Sequence, residues 1–160
     1  KDPWTFVRRA AAASLAGAPS GAETDGAIAA AVDFEPSPLV RAEMMKTLGA
    51  RNAKSTSKVV SERAFDDRET ADVRARAIEA LGQMCDRAST EAISELAMRG
   101  KAPVFEADRK LAIAGITALG RLRPADLAAR LAPLGAEGAP AEIREVTRRV
   151  LGDKSPGCAK

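Results

Sequence analysis

The sequence predicts an all-α protein, a right-handed α-α superhelix of about four and a half helix pairs. A ten-residue pattern occurs five times, with an aliphatic residue first and small or apolar residues four, seven and eight places later. The copies begin at Val7, Val40, Val73, Leu111 and Ile143, which are 33, 33, 38 and 32 residues apart. These spacings form one stripe of an α-helix. A period of about 20–50 residues is typical of repeat solenoids.

The composition supports helices. Hydrophobic residues make up 46% of the 160 residues, but aromatic residues only 3%. This content suits closely packed helices, whereas a β-sandwich would need more aromatic residues. The net charge of +3 comes from interspersed basic and acidic residues, so charge alone does not indicate a partner. No apolar run approaches about 18 residues, so we expect no insertion into a membrane.

The predicted helices can be taken in order. The first pair is incomplete, because Asp2-Pro3 directly opens a second helix, with Asp as its cap and Pro in its first turn. We expect this helix to end near Leu15, before several glycine and proline residues. The first helices of the four complete pairs are marked by Ala27, Ile28, Ala31 and Val32; by Val59, Val60 and Ala64; by Ile93, Leu96 and Ala97; and by Leu127, Ala128, Leu131 and Leu134.

Turn residues separate the helices. Two prolines between Glu35 and Pro38 stop one helix and start the next. The connection from Gly100 to Asp108 is longer and accounts for the 38-residue step. A glycine after the pattern, as at Gly82, is expected to let the helix end. We therefore predict a repeat array over residues 1–152, with its first repeat incomplete, and a loose C-terminal tail over 153–160.

The repeated motif also carries a family resemblance. Asp-Pro, then Val-Arg, then small residues, then Ala-Leu-Gly resembles the second helix of a HEAT repeat, of the short bacterial type also found in phycobilin lyase subunits. The copy from Val73 matches best, and the copy from Leu111 departs most, with Ala112 where Arg is expected. The resemblance covers nearly the whole chain and implies a HEAT-like solenoid. HEAT arrays serve many purposes, so it indicates the fold more specifically than the function.

An arginine recurs beside the first apolar residue in four copies, at Arg8, Arg41, Arg74 and Arg144. Acidic residues precede the copies at Asp2, Glu35, Asp67, Glu106 and Glu137. One hypothesis is a basic ladder that binds phosphates or acidic peptides. The resemblance favours a structural Asp–Arg ladder within and between repeats, in which each partly exposed pair contributes about 0–1 kcal/mol.

The inner face, meaning the exposed side of the second helices, is the predicted partner surface. Its candidate residues are Arg9, Lys46, Arg76, Glu79, Thr117, Glu145 and Arg149, with Met45 and Ile116 beside them. Met45 and Ile116 belong to a column that either packs between second helices or forms an exposed groove. Because the repeats present these positions in register, an extended or helical segment of another protein could contact several at once.

The N-terminal end is a second candidate, since its pair lacks a first helix and a polar cap. We expect Trp4 and Phe6 to be exposed there and to dock on upstream repeats of the same protein, a second copy or a partner chain. The C-terminal pair ends with Arg148-Arg149 and a polar tail, as a capping repeat would.

No catalytic, cofactor-binding or metal-binding residue is predicted. The chain has no His, which excludes His-based acid–base catalysis, Ser-His-Asp triads and most zinc sites. We therefore expect no enzyme and no cofactor, but a non-catalytic protein–protein interaction scaffold or adaptor within a larger protein or complex. The alternatives are a nucleic-acid-binding HEAT module and a bilin-lyase-like chaperone or enzyme. Nucleic acid is the weaker partner, because few aromatic residues could stack on bases.

The two cysteines lie at one edge of the predicted solenoid, two repeats apart. The gap from Cys85 to the helix before Cys158 is roughly 20 Å, which six extended residues can span. The alternatives are a disulfide that ties the tail back and two free thiols, with Cys85 partly buried. The cysteine pair and the absence of a starting Met favour an oxidising bacterial envelope or periplasm, with the cytoplasm as the alternative.

Overall fold

The computed structural model describes residues 3–19 and 21–158, so Asp2 of the predicted ladder lies outside it. This part of the chain contains nine α-helices and no strand. The helices are α1 (Thr5–Ser14), α2 (Ala22–Val32), α3 (Pro38–Ala50), α4 (Ser57–Phe65), α5 (Ala71–Gln83), α6 (Thr90–Met98), α7 (Glu106–Leu122), α8 (Leu127–Gly135) and α9 (Ala141–Gly152). Helix α1 precedes four helix pairs, which confirms the predicted four and a half repeats.

The second helices, α1, α3, α5, α7 and α9, pack side by side in chain order, and the first helices, α2, α4, α6 and α8, each pack on the second helix of their pair. Helix α5 therefore lies between α3 and α7. The predicted stripe forms the core, and Val73, Ala77 and Leu81 are fully buried. Because each stripe is covered mainly by neighbouring helices, the repeats stabilise one another. The predicted all-α solenoid is confirmed.

The glycines that follow the pattern allow close packing, which differs from their predicted role as helix ends. A Cβ atom at Gly49 would lie 2.8 Å from the Cα of Ala80, and one at Gly82 would lie 2.8 Å from the Cα of Ala118. Neighbouring second helices approach so closely that a side chain would not fit. Helix α5 continues past Gly82 and ends at Gln83.

The chain leaves helices α3, α5 and α7 at a left-handed residue three places after this glycine. These residues are Asn52, Cys85 and Arg123, whose φ angles are 52°, 60° and 49°. After α5, the amide of Asp86 donates to the carbonyl of Leu81 at 3.0 Å, and the amide of Cys85 donates to that of Gly82 at 3.3 Å. This pair of hydrogen bonds is a Schellman motif, which satisfies carbonyls at a helix end.

The recurring arginines have structural partners. The guanidinium of Arg8 donates two hydrogen bonds of 2.9 Å to Glu35, in the turn of the next repeat. Arg74 pairs instead with Asp67 of its own turn, at 2.6 Å. Arg144 donates to the backbone carbonyls of Glu137 and Ala139. Arg8 therefore binds the next repeat, whereas Arg74 and Arg144 bind within their own, and these recurring arginines do not form a free basic ladder.

Candidate functional site

The N-terminal part of the inner face is built around a buried carboxylate. Glu43 is 8% exposed and accepts hydrogen bonds from Lys46 at 2.8 Å and from Arg9 at 3.3 Å. The hydrogen bond from Lys46, together with that from Arg9, lowers the pKa of Glu43 although burial opposes the shift. The bond from Arg9 joins α1 to α3. The side chains of Arg9 and Lys46 remain more than half exposed, so two cations surround one buried anion at this surface.

The central inner face is a charged hollow of about 320 Å³ between α5, α7 and α9. Arg76 pairs with Glu79 at 2.8 Å on α5, and both line the hollow. Lys110 of α7 reaches Asp72 of α5 at 2.5 Å. A partly buried apolar side chain, Ile113, lies among these charges. This hollow can offer a partner both cationic hydrogen-bond donors and carboxylate acceptors, together with a small apolar contact.

A larger hollow of about 640 Å³ lies near the C-terminal ends of α5, α7 and α9, and the chain after α9 also lines it. It contains the predicted residues Thr117 and Arg149 and the partly buried Val146 and Val150. The Thr117 hydroxyl donates to the Ile113 carbonyl of its own helix at 2.8 Å. Arg149 lies 3.8 Å from Glu145, and its side chain is 75% exposed. The cation is therefore accessible to a partner.

Met45 and Ile116 were predicted to lie on the partner surface, and this prediction is wrong. Met45 and Ile116 are both 0% exposed, as is Ile78 of the same column. The column packs between second helices, where neighbouring repeats cover it, so it cannot contact a partner. The accessible apolar atoms of the inner face belong instead to side chains between the charged positions, such as Ile113 and Val146.

Sequence reasoning missed a buried ion pair near the N-terminus. The side chain of Arg51 is 1% exposed and contacts Asp25 at 2.5 Å. Its guanidinium also donates to the carbonyls of Leu15, Ala18 and Pro19 at 2.7, 2.9 and 3.0 Å. This arginine therefore fixes the chain between α1 and α2. The signal in the sequence was that Arg51 stands one residue before a left-handed residue, where the next two repeats have the apolar Met84 and Leu122.

The predicted aromatic residues of the N-terminal end are exposed. Trp4 and Phe6 are 63% and 69% exposed, and their ring centroids are 5.9 Å apart. They do not line the adjacent groove of about 620 Å³, which lies between α1 and α2 and includes Val7. The concave apolar surface at this end thus begins one residue beyond the predicted aromatic pair.

The C-terminal tail is tied to the array, which differs from the predicted loose segment. Cys158 is 7% exposed and bonded to Cys85, with Cα atoms 5.6 Å apart. The amide of Cys158 donates to the Arg121 carbonyl at 2.8 Å, and its own carbonyl accepts from Arg87 at 3.2 Å. Of the two alternatives for the cysteines, the structure has the disulfide, and the chain after Gly152 runs back across α7 towards α5 to form it.

Two properties concern the part of the chain that the structure describes. Within residues 3–19 and 21–158, no cluster of His, Cys, Asp or Glu could hold a metal ion. None of the helices described combines the length and the apolar composition that crossing a membrane requires.

Comparison with known proteins identifies the repeat. The family model for HEAT repeats matches residues 24–115, from α2 into α7, which is 92 of the 160 residues. The match is to HEAT repeats in general and does not specify the short bacterial type. No curated protein and no solved structure matches the chain with significance. With the repeat pattern, the paired helices and a match over more than half of its length, the chain belongs to the HEAT-repeat family.

Proposed function

We propose that this chain is a non-catalytic scaffold that binds a segment of another protein across its inner face. HEAT repeats are commonly protein-interaction scaffolds, and the family is generally non-catalytic. The observation that carries the proposal is an accessible cationic side chain on each of four second helices. Arg9 lies on α1, Lys46 on α3, Arg76 on α5 and Arg149 on α9, each with a side chain at least half exposed.

The inner face favours an extended polypeptide of mixed charge. Most of its cations already have a carboxylate neighbour, as Arg76 has Glu79 and Lys110 has Asp72. A partner must therefore exchange these exposed pairs for its own, which costs little because each contributes only about 0–1 kcal/mol. The partly buried Ile113 and Val146 provide small apolar contacts between the charges. Such an interface gains specificity from the charge pattern.

Nucleic acid is the less favoured partner, because several arginines that could contact phosphates are engaged within the protein. Arg8 is held by Glu35, Arg144 donates to backbone carbonyls, and Arg148 pairs with Glu145. A nucleic-acid surface needs a row of cations free to replace counterions along the phosphates. A bilin-lyase-like activity has no support from a described site.

Partner capture from the native source, with quantitative mass spectrometry, tests the proposal. In the test variant Arg76 and Arg149 become Glu, and Lys46 becomes Gln so that a donor to the buried Glu43 remains. We expect captured partners to fall at least tenfold while helical content and melting temperature stay nearly unchanged.

The matched control changes exposed lysines outside the second helices, with Lys54→Gln, Lys58→Glu and Lys101→Glu, and should retain the partners. Equal capture by the test variant and the control would contradict the inner-face proposal. Binding to many unrelated DNA sequences that weakens steeply with salt would favour the nucleic-acid alternative.

The disulfide supports a further proposal, that the chain resides in an oxidising compartment such as a bacterial envelope. Bonded cysteines persist where thiols are not kept reduced. Alkylation of the protein under non-reducing conditions, followed by mass measurement, tests it. Two alkylated cysteines in protein taken directly from its source would favour the cytoplasm instead.

A further inference from the structure

The disulfide between Cys85 and Cys158 lies in the wall of an open hollow. Both cysteines line the hollow of about 640 Å³ near the C-terminal ends of α5, α7 and α9. Cys85 is partly exposed, whereas Cys158 is only 7% exposed. A hollow of this volume accommodates a small molecule. A small thiol that enters it can therefore reach the bond while the helices stay folded, and Cys85 is the more accessible of the two cysteines.

The charges of the hollow favour the reactive form of such a thiol. Arg121 and Arg149 line the hollow and are exposed, and Asp153 is the one carboxylate among the described residues that line it. Disulfide exchange proceeds through the thiolate anion, and nearby cations favour the thiolate over the neutral thiol. Two positive charges against one negative charge therefore suit the approach of a thiolate to this disulfide.

The segment 153–158 depends on the disulfide for its position. Residues 153–157 are all exposed, and only Cys158 is buried. Its amide donates to the carbonyl of Arg121 at 2.8 Å, and its carbonyl accepts a hydrogen bond from Arg87 at 3.2 Å. A segment with so little buried surface opens at a low cost in free energy once its covalent tie is removed. Reduction should therefore release it from α5 and α7.

We propose that Cys85 is a site of attack by a small thiol and that the disulfide is a reversible redox switch of the inner face. The thiolate sulfur bonds to Sγ of Cys85, the bond to Cys158 breaks, and Sγ of Cys158 leaves with the electron pair and takes a proton from water. A second thiolate then attacks the added sulfur. This step frees Cys85 as a thiol and leaves the two thiol molecules joined as their own disulfide, so two electrons pass to the protein.

The shape of the released segment favours its return on oxidation. Gly157 has a φ angle of 63°, in the left-handed region that glycine adopts readily. A Cβ atom there would lie 2.7 Å from the carbonyl oxygen of Arg121 and 2.4 Å from Cγ of Arg123. The backbone at Gly157 thus fits closely against the C-terminal end of α7, which brings Cys158 back to Cys85. Release consequently removes one wall of the hollow, and reoxidation rebuilds it.

Treatment of the oxidised chain with the tripeptide thiol glutathione tests the proposal. After a brief reaction, acid quenching and alkylation with iodoacetamide, peptide mass spectrometry locates the products. We expect the glutathione adduct on Cys85 and the alkyl group on Cys158. After complete reduction, hydrogen–deuterium exchange should be at least tenfold faster in the segment 153–158 and change less than twofold in residues 73–80 of α5. An adduct mainly on Cys158, or no reaction of the folded chain, would overturn the proposal.

Variants separate attack through the hollow from attack on unfolded protein. Arg121→Gln with Arg149→Gln should slow adduct formation several-fold, because the cations that favour the thiolate are lost. The control Arg148→Gln changes an exposed arginine of α9 outside the hollow and should alter the rate less than twofold. Val73→Ala weakens the core at the far end of α5, where Val73 is fully buried, and should also leave the rate within twofold.

A tenfold acceleration by Val73→Ala would show that reduction requires unfolding and would overturn the proposal, as would equal effects of the two arginine changes. Gly157→Ala should slow reformation of the bond by oxidised glutathione several-fold, and an unchanged rate would contradict a guided return. Every arm uses the isolated chain without a partner, so failure of the proposed scaffold function leaves this test intact.

Discussion

Arg41 on α3 binds Glu69 of the next repeat with two parallel hydrogen bonds, from Nε to Oε1 at 2.8 Å and from Nη2 to Oε2 at 2.7 Å. The same guanidinium donates to the backbone carbonyl of Glu35 at 2.8 Å. The side chain of Glu69 is only 4% exposed, and that of Arg41 is 18% exposed. This fork joins the turn before α3 to the turn before α5, and it is more deeply buried than the surface pairs to which the 0–1 kcal/mol expectation applies.

Arg41→Met should lower the free energy of unfolding by about 2–4 kcal/mol, because it leaves the buried carboxylate of Glu69 without its main partner. Arg63, 3.7 Å away, compensates in part. The control Arg76→Met removes an exposed pair within one helix and should cost less than about 0.5 kcal/mol. Urea unfolding followed by circular dichroism measures both. Similar small losses in the two variants would show that the fork does not stabilise the array.

Leu81→Ala should cost roughly 2–5 kcal/mol, because Leu81 is fully buried in α5 and its loss leaves a cavity between repeats. Leu151 occupies the same position of the repeat in α9 but is 41% exposed. Leu151→Ala should therefore cost less than about 1 kcal/mol. Denaturant unfolding compares the two. A cost below about 1 kcal/mol at Leu81 would mean that the assigned core face is incorrect.

Gly82→Ala tests close packing between second helices. The new Cβ would lie 2.8 Å from the Cα of Ala118, so α5 and α7 must separate, at a cost of about 1–3 kcal/mol. Gly152 has the same place in the repeat, but no atom lies within 4 Å of its Cβ position. Gly152→Ala should leave stability unchanged or slightly raised. Thermal unfolding measures the stability of both variants, and equal effects would refute a packing role for Gly82.

The disulfide between Cys85 and Cys158 should stabilise the oxidised protein by about 2–4 kcal/mol, since it closes a loop of 73 residues. Cys158→Ser removes that constraint. Reductant should lower the unfolding midpoint of the unmodified chain to the level of this variant and leave the variant itself unaffected. An equal response of the two proteins to reductant, or no response of either, would contradict a stabilising bond.

The repeat period made the helices and their pairing predictable, because the stripe at each copy is a local property of the sequence. Which side chains pair between repeats depends on how closely the helices approach, and this could not be predicted from the local pattern. The spacing paired acidic residues with arginines by distance along the chain and passed over Glu69, which lies in the turn that Arg41 actually reaches. It also left Met45 as a surface candidate, although neighbouring second helices cover it completely.

The candidate surfaces were also predictable only where they depend on the local helical period. Exposed positions such as Lys46 and Arg76 follow from the helical period, so the sequence identified them. The groove beside Val7 is lined by residues of two helices, α1 and α2, that no local sequence pattern connects. Arg51 was missed for a related reason: its burial depends on carbonyls from the chain between α1 and α2, which folds back over it.

Hydrogen–deuterium exchange of the chain, alone and bound to a partner captured from its source, tests the central claim most directly. If the inner face is the binding surface, bound partner should slow exchange across the adjacent second helices α3, α5 and α7 and leave the first helices α4 and α6 unchanged. Protection confined to α4, α6 and α8, with none on the second helices, would contradict the account.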